Sequence, residues 1–198
     1  MEGMLLIISG PSGSGKGTVV KRLDSARGYA LSVSVTTRPP RVGELDGRDY
    51  FFRAEEEFIR MRENNELLEH AVYVGNYYGT PRHYVEEMIA SGKTVILEIE
   101  VNGALQVKER FPQAVLVFLM PPTLSELTRR LSDRSTDDPE VIEYRLKQAQ
   151  TEIKLIPRYN YLVCNDEISK AVAAIDTIVA AERLRPERLQ AMIDNFNN

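Results

Sequence analysis

The chain of 198 residues holds a single cysteine, Cys164, which excludes an internal disulfide. Its place in the apolar stretch Tyr161-Leu162-Val163-Cys164 predicts a buried strand residue rather than a reactive thiol. Histidine is scarce as well. His70 and His83 are not spaced with each other or with the cysteine as metal ligands, so neither reads as part of a zinc-type site. Positive charge is not in excess: the formal net charge of -4 argues against a general binder of nucleic-acid polymers or membrane surfaces. Functional arginines should then be locally focused, and the partner small and anionic. No long apolar run is present either. The start MEGMLLIISG has no basic leader, and its apolar stretch is far too short for a signal or a membrane span, so a cytoplasmic protein is expected. There is no internal repeat, no low-complexity segment and no feature calling for an obligate protein partner. With 43% hydrophobic and 27% charged residues, the composition suits one globular core with insertions.

The most informative feature present is GPSGSGKGT at Gly10–Thr18, directly after the apolar run Leu5-Leu6-Ile7-Ile8. A short buried strand feeding a glycine-rich turn and a helix leaves backbone N–H groups pointing into a concavity. The helix N-terminus adds its partial positive charge there, and anionic phosphates fit. Gly10, Gly15 and Lys16 keep the G-x-x-x-x-G-K spacing, with Pro11, Ser12, Gly13 and Ser14 between, and Lys16 can reach β/γ oxygens. One element departs from the pattern. The Ser or Thr whose hydroxyl usually meets Mg²⁺ is Gly17, with Thr18 one place late, so the ion needs another oxygen; Glu98, at the end of a neighbouring strand, is the best candidate and Thr18 its competitor.

Short apolar strands alternate with amphipathic helices along the chain. Strands are predicted over 5–9, 30–33, 94–98, 114–120 and 161–164, and helices near 17–26, 101–110, 124–131 and 168–181. Runs so uniformly apolar imply a parallel sheet covered by helices on both faces, an α/β fold. Two regions break the alternation. The segment from Ser34 onward, rich in Tyr, Arg and Glu, predicts a small inserted mixed sheet, with Glu55-Glu56-Glu57 as the acidic first turn of a helix. The polar 132–139, followed by an amphipathic helix over 140–156, predicts a mobile lid. The resulting division is one domain with its core over about 1–33, 90–126 and 157–198, an insertion over 34–89 and a lid over 127–156. A closing helix or two is expected beyond residue 180.

The string SVSVTTRPPRVGELDGRDY at 32–50, with the phosphate loop, resembles guanylate kinase. The similarity continues through Leu68-Glu69, GNYYGT at 75–80, ILEIE at 96–100, RLSDR at 130–134, Tyr144-Arg145-Leu146 and Asn165-Asp166, in the family's order over nearly the whole chain. The resemblance implies a P-loop nucleoside-monophosphate-kinase fold and transfer of the γ-phosphoryl group of ATP to GMP, possible tolerance of dGMP, and a requirement for Mg²⁺. The residues suit that task. Guanine presents two donors beside one acceptor; Glu69 offers acceptors only, and the Ser34 hydroxyl can donate to O6. Arg38 and Arg41, with the Tyr50 and Tyr78 hydroxyls, can hold the GMP phosphate. By family correspondence Gly79, Thr80 and Glu100 also line the GMP site, Asn165 lies near the donor's adenine, and Arg130, Arg134 and Arg145 join Lys16 around the moving phosphoryl group. Arg129, off that register, reads as solvated. The chain departs from the family's usual Asp at Glu98 and Glu100, and from its Gly at Ser135.

Two rival readings stand beside this one. The GKGT ending of the loop resembles adenylate kinases and admits a kinase for another nucleoside monophosphate, against which Glu69 with Ser34 argues. A catalytically inactive interaction domain of the same fold is the other, against which the intact loop and lid arginines argue.

Overall fold

In a computed structural model of the protein, residues 3–73, 75–133 and 139–196 are described. The element order is β1 (Met4–Ser9), α1 (Lys16–Arg27), β2 (Ala30–Leu31), β3 (Val35–Thr36), β4 (Phe51–Phe52), α2 (Glu55–Glu63), β5 (Leu67–Tyr73), β6 (Asn76–Pro81), α3 (Arg82–Ala90), β7 (Thr94–Glu98), α4 (Val101–Arg110), β8 (Val115–Met120), α5 (Leu124–Ser132), α6 (Pro139–Ile153), β9 (Tyr161–Cys164), α7 (Ile168–Glu182) and α8 (Gln190–Phe196). None of the described helices is long and apolar enough to cross a membrane.

Five strands form a parallel sheet in the order β2-β7-β1-β8-β9. Successive side chains of a strand point to opposite faces, and here both faces are apolar. Leu6 and Ile8 of β1 pack with Val19 and Leu23 of α1 and Ile175 of α7, whereas Leu5 and Ile7 pack with Val85 of α3 and Ala104 and Val107 of α4. Leu6, Ile7 and Ile8 are fully buried, each worth about 1.5–3 kcal/mol relative to exposure. The chain leaves β1 toward β2 on one side, while β8 feeds β9 on the other. This reversal opens a crevice at the carboxyl ends of the strands, where α/β sheets bind ligands.

The second sheet is mixed, in the order β4-β3-β6-β5, with β3 and β4 parallel and the other pairs antiparallel. It has its own small apolar cluster of Val35, Phe58 and Leu67. A further cluster, Leu127 and Leu131 of α5 with Ala149 of α6, joins those two helices.

Most predicted elements form within a residue or two of their expected bounds, and α2 does open on Glu55, Glu56 and Glu57. Three expectations are corrected and one helix is added. The strand expected over 30–33 is only Ala30–Leu31, and the helix expected to reach 156 ends at Ile153, before a 3₁₀ turn over Ile156–Arg158. Helix α3 was not anticipated. Cys164, expected buried, is exposed: β9 is an edge strand in which Leu162 and Cys164 face outward and only Val163 is buried. Of the expected lid, 134–138 lie outside the described residues.

Candidate functional site

The first part of the site is built by β1 and α1. Glycine is required at both ends of the turn between them: Gly10 (φ 149°) and Gly15 (φ 88°) have torsions that L side chains rarely adopt, and a Cβ would collide with Leu119 O at the first and with Asn165 Nδ2 at the second. Lys16, 9% exposed, folds back inside the loop and donates from Nζ to Gly10 O (2.6 Å) and Pro11 O (3.3 Å). Its ammonium also lies 3.7 Å from Glu100 Oε1. Ser14 Oγ is buried with no hydrogen-bond partner among the described residues, a donor suited to an anion seated in the loop. Ser12 and Gly17 are half-buried, and Thr18 is exposed on the first turn of α1.

Beside the loop, a cavity of about 280 Å³ is lined by Gly13, Gly15, Thr18, Arg130, Asn165 and Asp166, among others. Asn165, just beyond β9, is tied in by its N–H to Met120 O and by Nδ2 to Ser14 O, both at 2.8 Å. Its Oδ1 is buried and unpartnered, an acceptor aimed at nothing else described. Arg130 donates from Nε to Glu126 Oε1 (2.7 Å) and from Nη2 to Asn165 O (2.9 Å), which draws α5 to the edge of this cavity. Arg129 and Arg130 together hold the Glu126 carboxyl down to about 2. Arg129 is otherwise a surface charge paired with Glu126 and Asp133, as expected. Arg145 is half-buried on α6, and Arg134 falls outside the described residues.

A second cavity, about 290 Å³, opens between the mixed sheet and the end of β7. Ser34, Arg38, Arg41, Tyr50, Glu69 and Tyr78 line it, with Glu98 and Glu100 on the side of the loop. At its inner end Glu69, 4% exposed, accepts a hydrogen bond from Thr80 Oγ1 (2.8 Å). Burial pushes the Glu69 carboxyl up to about 7, against the opposing pull of the Thr80 hydrogen bond and of Arg110. Thr80 is buried behind Glu69, and Gly79 lies in β6 against Leu67 and Phe58; both sit in the wall beneath the cavity rather than among its lining residues. At the other end the Arg38 guanidinium stacks over Tyr50 (5.5 Å) and Phe52 (5.9 Å). Burial raises the Tyr50 hydroxyl pKa, which keeps it a neutral donor.

Three groups were not anticipated as site residues. Glu44 lines the second cavity and grips both arginines: its oxygens accept from Arg38 Nη2, each at 2.9 Å, and Oε2 accepts from Arg41 N at 2.8 Å. The Arg41 N–H, ahead of the Arg38 guanidinium, holds its carboxyl below the usual range. An acid three places after Arg41 in a turn was the available signal. Glu152 is half-buried on α6 and pushed up to about 7, first by burial and then by Glu100, with Lys16 opposing. It stands seven residues after Arg145, on the same helix face, and that spacing could have found it. Tyr159 donates to Ser9 Oγ at 3.0 Å and packs edge-on to Phe118, joining the segment after α6 to the end of β1.

Glu98 ends β7 beside the loop. The residue is exposed at the end of its strand, but protein crowded around the carboxyl, and then Glu100, raise its pKa, while Lys16 and Lys21 oppose. A methyl group at Gly17 would stand 3.3 Å from Glu98 Oε1, so the carboxylate fills the space a side chain at 17 would use. The arrangement thus has a cationic anion loop, one cavity beside it with an amide acceptor, and another ending in a buried carboxylate at one end and two arginines at the other.

Comparison with known proteins finds similarity to one family over nearly the whole chain. The family model described as guanylate kinase matches residues 2–182. The chain is 54% identical over 189 residues to a guanylate kinase of Halalkalibacterium halodurans, covering 95% of this chain and 93% of that protein. It is 50% identical over 189 residues to one of Oceanobacillus iheyensis, covering 95% and 92%. The crystal structure of guanylate kinase from Anaplasma phagocytophilum superposes with a TM-score of 0.78 at 36% identity, covering 94% of this chain and 89% of that one.

Proposed function

Because the chain belongs to the guanylate kinase family and transfers a phosphoryl group from ATP to GMP, giving ADP and GDP, we propose that its two cavities hold the two nucleotides and that transfer runs directly between them past Lys16. The observation that carries this is the 3.7 Å approach of Lys16 Nζ to Glu100 Oε1. It joins the anion loop to the wall of the second cavity, so donor and acceptor phosphates meet at one ammonium.

The second cavity takes GMP. Both donors of guanine, N1–H and the 2-amino group, go to Glu69, Ser34 donates to O6, and Thr80 orients the carboxylate from behind, with Glu100 completing the base site and Gly79 in the wall beneath it. Arg38, Arg41, Tyr50 and Tyr78 hold the phosphate, and Glu44 fixes the Arg38 guanidinium and the backbone at Arg41. The loop from Gly10 to Thr18 takes the phosphates of ATP on its N–H groups, with Asn165 on the adenine side. Phosphoryl transfer asks little covalent chemistry of a protein; positioning and charge carry the rate. Lys16, Arg130 of α5, Arg145 of α6 and Arg134 supply that charge.

The donor set also fits Mg²⁺. Among the described residues no three acidic, His or Cys side chains gather into a metal cage, which suits an ion held mainly by phosphate oxygens and water. Glu98, standing over Gly17, is the carboxylate that would hold it, with Thr18 the alternative. Bound there, the ion would neutralise phosphate charge. Glu98→Gln is expected to raise the Mg²⁺ concentration for half-maximal rate much more than Thr18→Val does; the opposite order moves the metal role to Thr18.

The substrate assignment is tested by coupled ADP release with ATP and each of GMP, dGMP, AMP, CMP and UMP. GMP is expected to be strongly preferred over AMP, CMP and UMP. Comparable rates with AMP would remove the role given to Glu69.

A further inference from the structure

Gly103 has no local reason to be glycine. It sits inside α4, among helical torsions that any residue adopts, and glycine there is a poorer helix former than alanine. Its reason is tertiary. A methyl group on Gly103 would stand 2.7 Å from Glu69 Oε2 and 3.3 Å from its Cδ, inside van der Waals contact. The other oxygen is held by one of its two lone pairs, since Glu69 Oε1 accepts from Thr80 Oγ1 at 2.8 Å. The carboxylate is therefore clamped between a hydroxyl of β6 and the bare α-carbon of α4.

The helix is tied to β5 along the same face. Gln106 brackets β5 with two hydrogen bonds, accepting from His70 N (3.5 Å) and donating to His70 O (3.3 Å), and Arg110 Nη1 donates to Leu68 O (3.0 Å). Residues 103, 106 and 110 share one face of α4, three and seven apart. That face holds the helix to the backbone on either side of Glu69.

We propose that Gly103 is a specificity-determining position: the missing side chain lets the Glu69 carboxylate stand against α4, where both its oxygens remain available to guanine. The proposal rests on the reading of Glu69 as the base acceptor. A side chain at 103 rotates the carboxylate off Oε2, and one of the two guanine donors loses its partner. The donor lost is expected to be felt most by substrates that use both oxygens. Inosine monophosphate lacks the 2-amino group and needs only one.

The test is Gly103→Ala, assayed with ATP and either GMP or inosine monophosphate, alone and combined with Glu69→Asp. The single variant is expected to lower kcat/KM for GMP at least 30-fold, mainly through KM, and to narrow the preference for GMP over inosine monophosphate at least fivefold. The KM for ATP should stay within twofold, with a cooperative melting transition. In the Glu69→Asp background the shorter acid no longer reaches α4, so the alanine should lower kcat/KM for GMP less than threefold further. Wild-type GMP kinetics in Gly103→Ala, or equal losses in both backgrounds, would overturn the proposal. If the single variant does not fold, the double variant, relieved of the overlap, should; failure of both also overturns it. Full GMP use by Glu69→Gln would instead sink the reading of Glu69 itself.

Discussion

Lys16→Met is expected to lower kcat by several orders of magnitude while leaving the fold intact. Methionine matches the length of the lysine stem and can lie along the same path within the loop. What it lacks is the charge at the junction of the two cavities, where Lys16 Nζ sits 2.6 Å from Gly10 O and 3.7 Å from Glu100 Oε1. Three orders in rate correspond to about 4 kcal/mol of transition-state stabilisation, a magnitude reached by a single well-placed electrostatic group in a site that excludes water. The carbonyls of Gly10 and Pro11 lose one hydrogen bond each, worth about 1 kcal/mol apiece, so the melting temperature should fall by only a few degrees. Folding and turnover should therefore separate. A purified variant keeping more than about a tenth of wild-type kcat would remove Lys16 from the transferring phosphoryl.

Glu69→Gln should show the next largest effect, and a different signature. An amide accepts at one position only and turns a donor toward guanine's own donors, so kcat/KM for GMP is expected to fall by about 10²–10⁴. Use of AMP should change little or improve. Equal losses for both substrates would mean that Glu69 supports the fold and does not read the base.

The pH dependence has a definite sign. With its carboxyl raised to about 7, Glu69 is protonated in acid, and the proposed contact with guanine needs it ionised. The kcat/KM for GMP should rise between pH 6 and 8, and that part of the rise that survives correction for the substrate phosphate should vanish in Glu69→Gln. Stability moves the other way. A carboxyl raised from 4.5 to about 7 destabilises the folded state as pH rises through that window, by about 3 kcal/mol in all above it. Glu69→Gln removes this dependence, so its melting temperature relative to wild type should be higher at pH 8 than at pH 5.

Much of this molecule was legible from its order of residues. A phosphate loop is local: Gly10, Gly15 and Lys16 act through torsions and spacing within nine residues, and the apolar strands around them are visible as runs because both faces of a parallel sheet are buried. Helices α1, α4, α5 and α7 followed from period and charge. The misses share a cause. Cys164 was read as buried because its stretch is apolar, but β9 lies at the sheet edge, and strand order is not written in any strand's own composition. Helix α3 follows directly on β6, and its inward residues Val85 and Ile89 acquire meaning only against Leu5 and Ile7.

The site divides in the same way. The residue types and their local strings pointed to a phosphate loop, an acid with the acceptors guanine would need and a pair of arginines suited to a phosphate. Tertiary structure alone decided how they meet. It set Thr80 and Gly103 on opposite sides of the Glu69 carboxylate, put Glu44 on both arginines, brought Glu152 toward Lys16, and laid Glu98 across Gly17. Torsion and periodicity act over one turn or one strand, so sequence carries them openly. The approach of β5 to α4, or of β7 to the phosphate loop, depends on which faces pack after the whole chain has closed, and no short window of sequence contains that information.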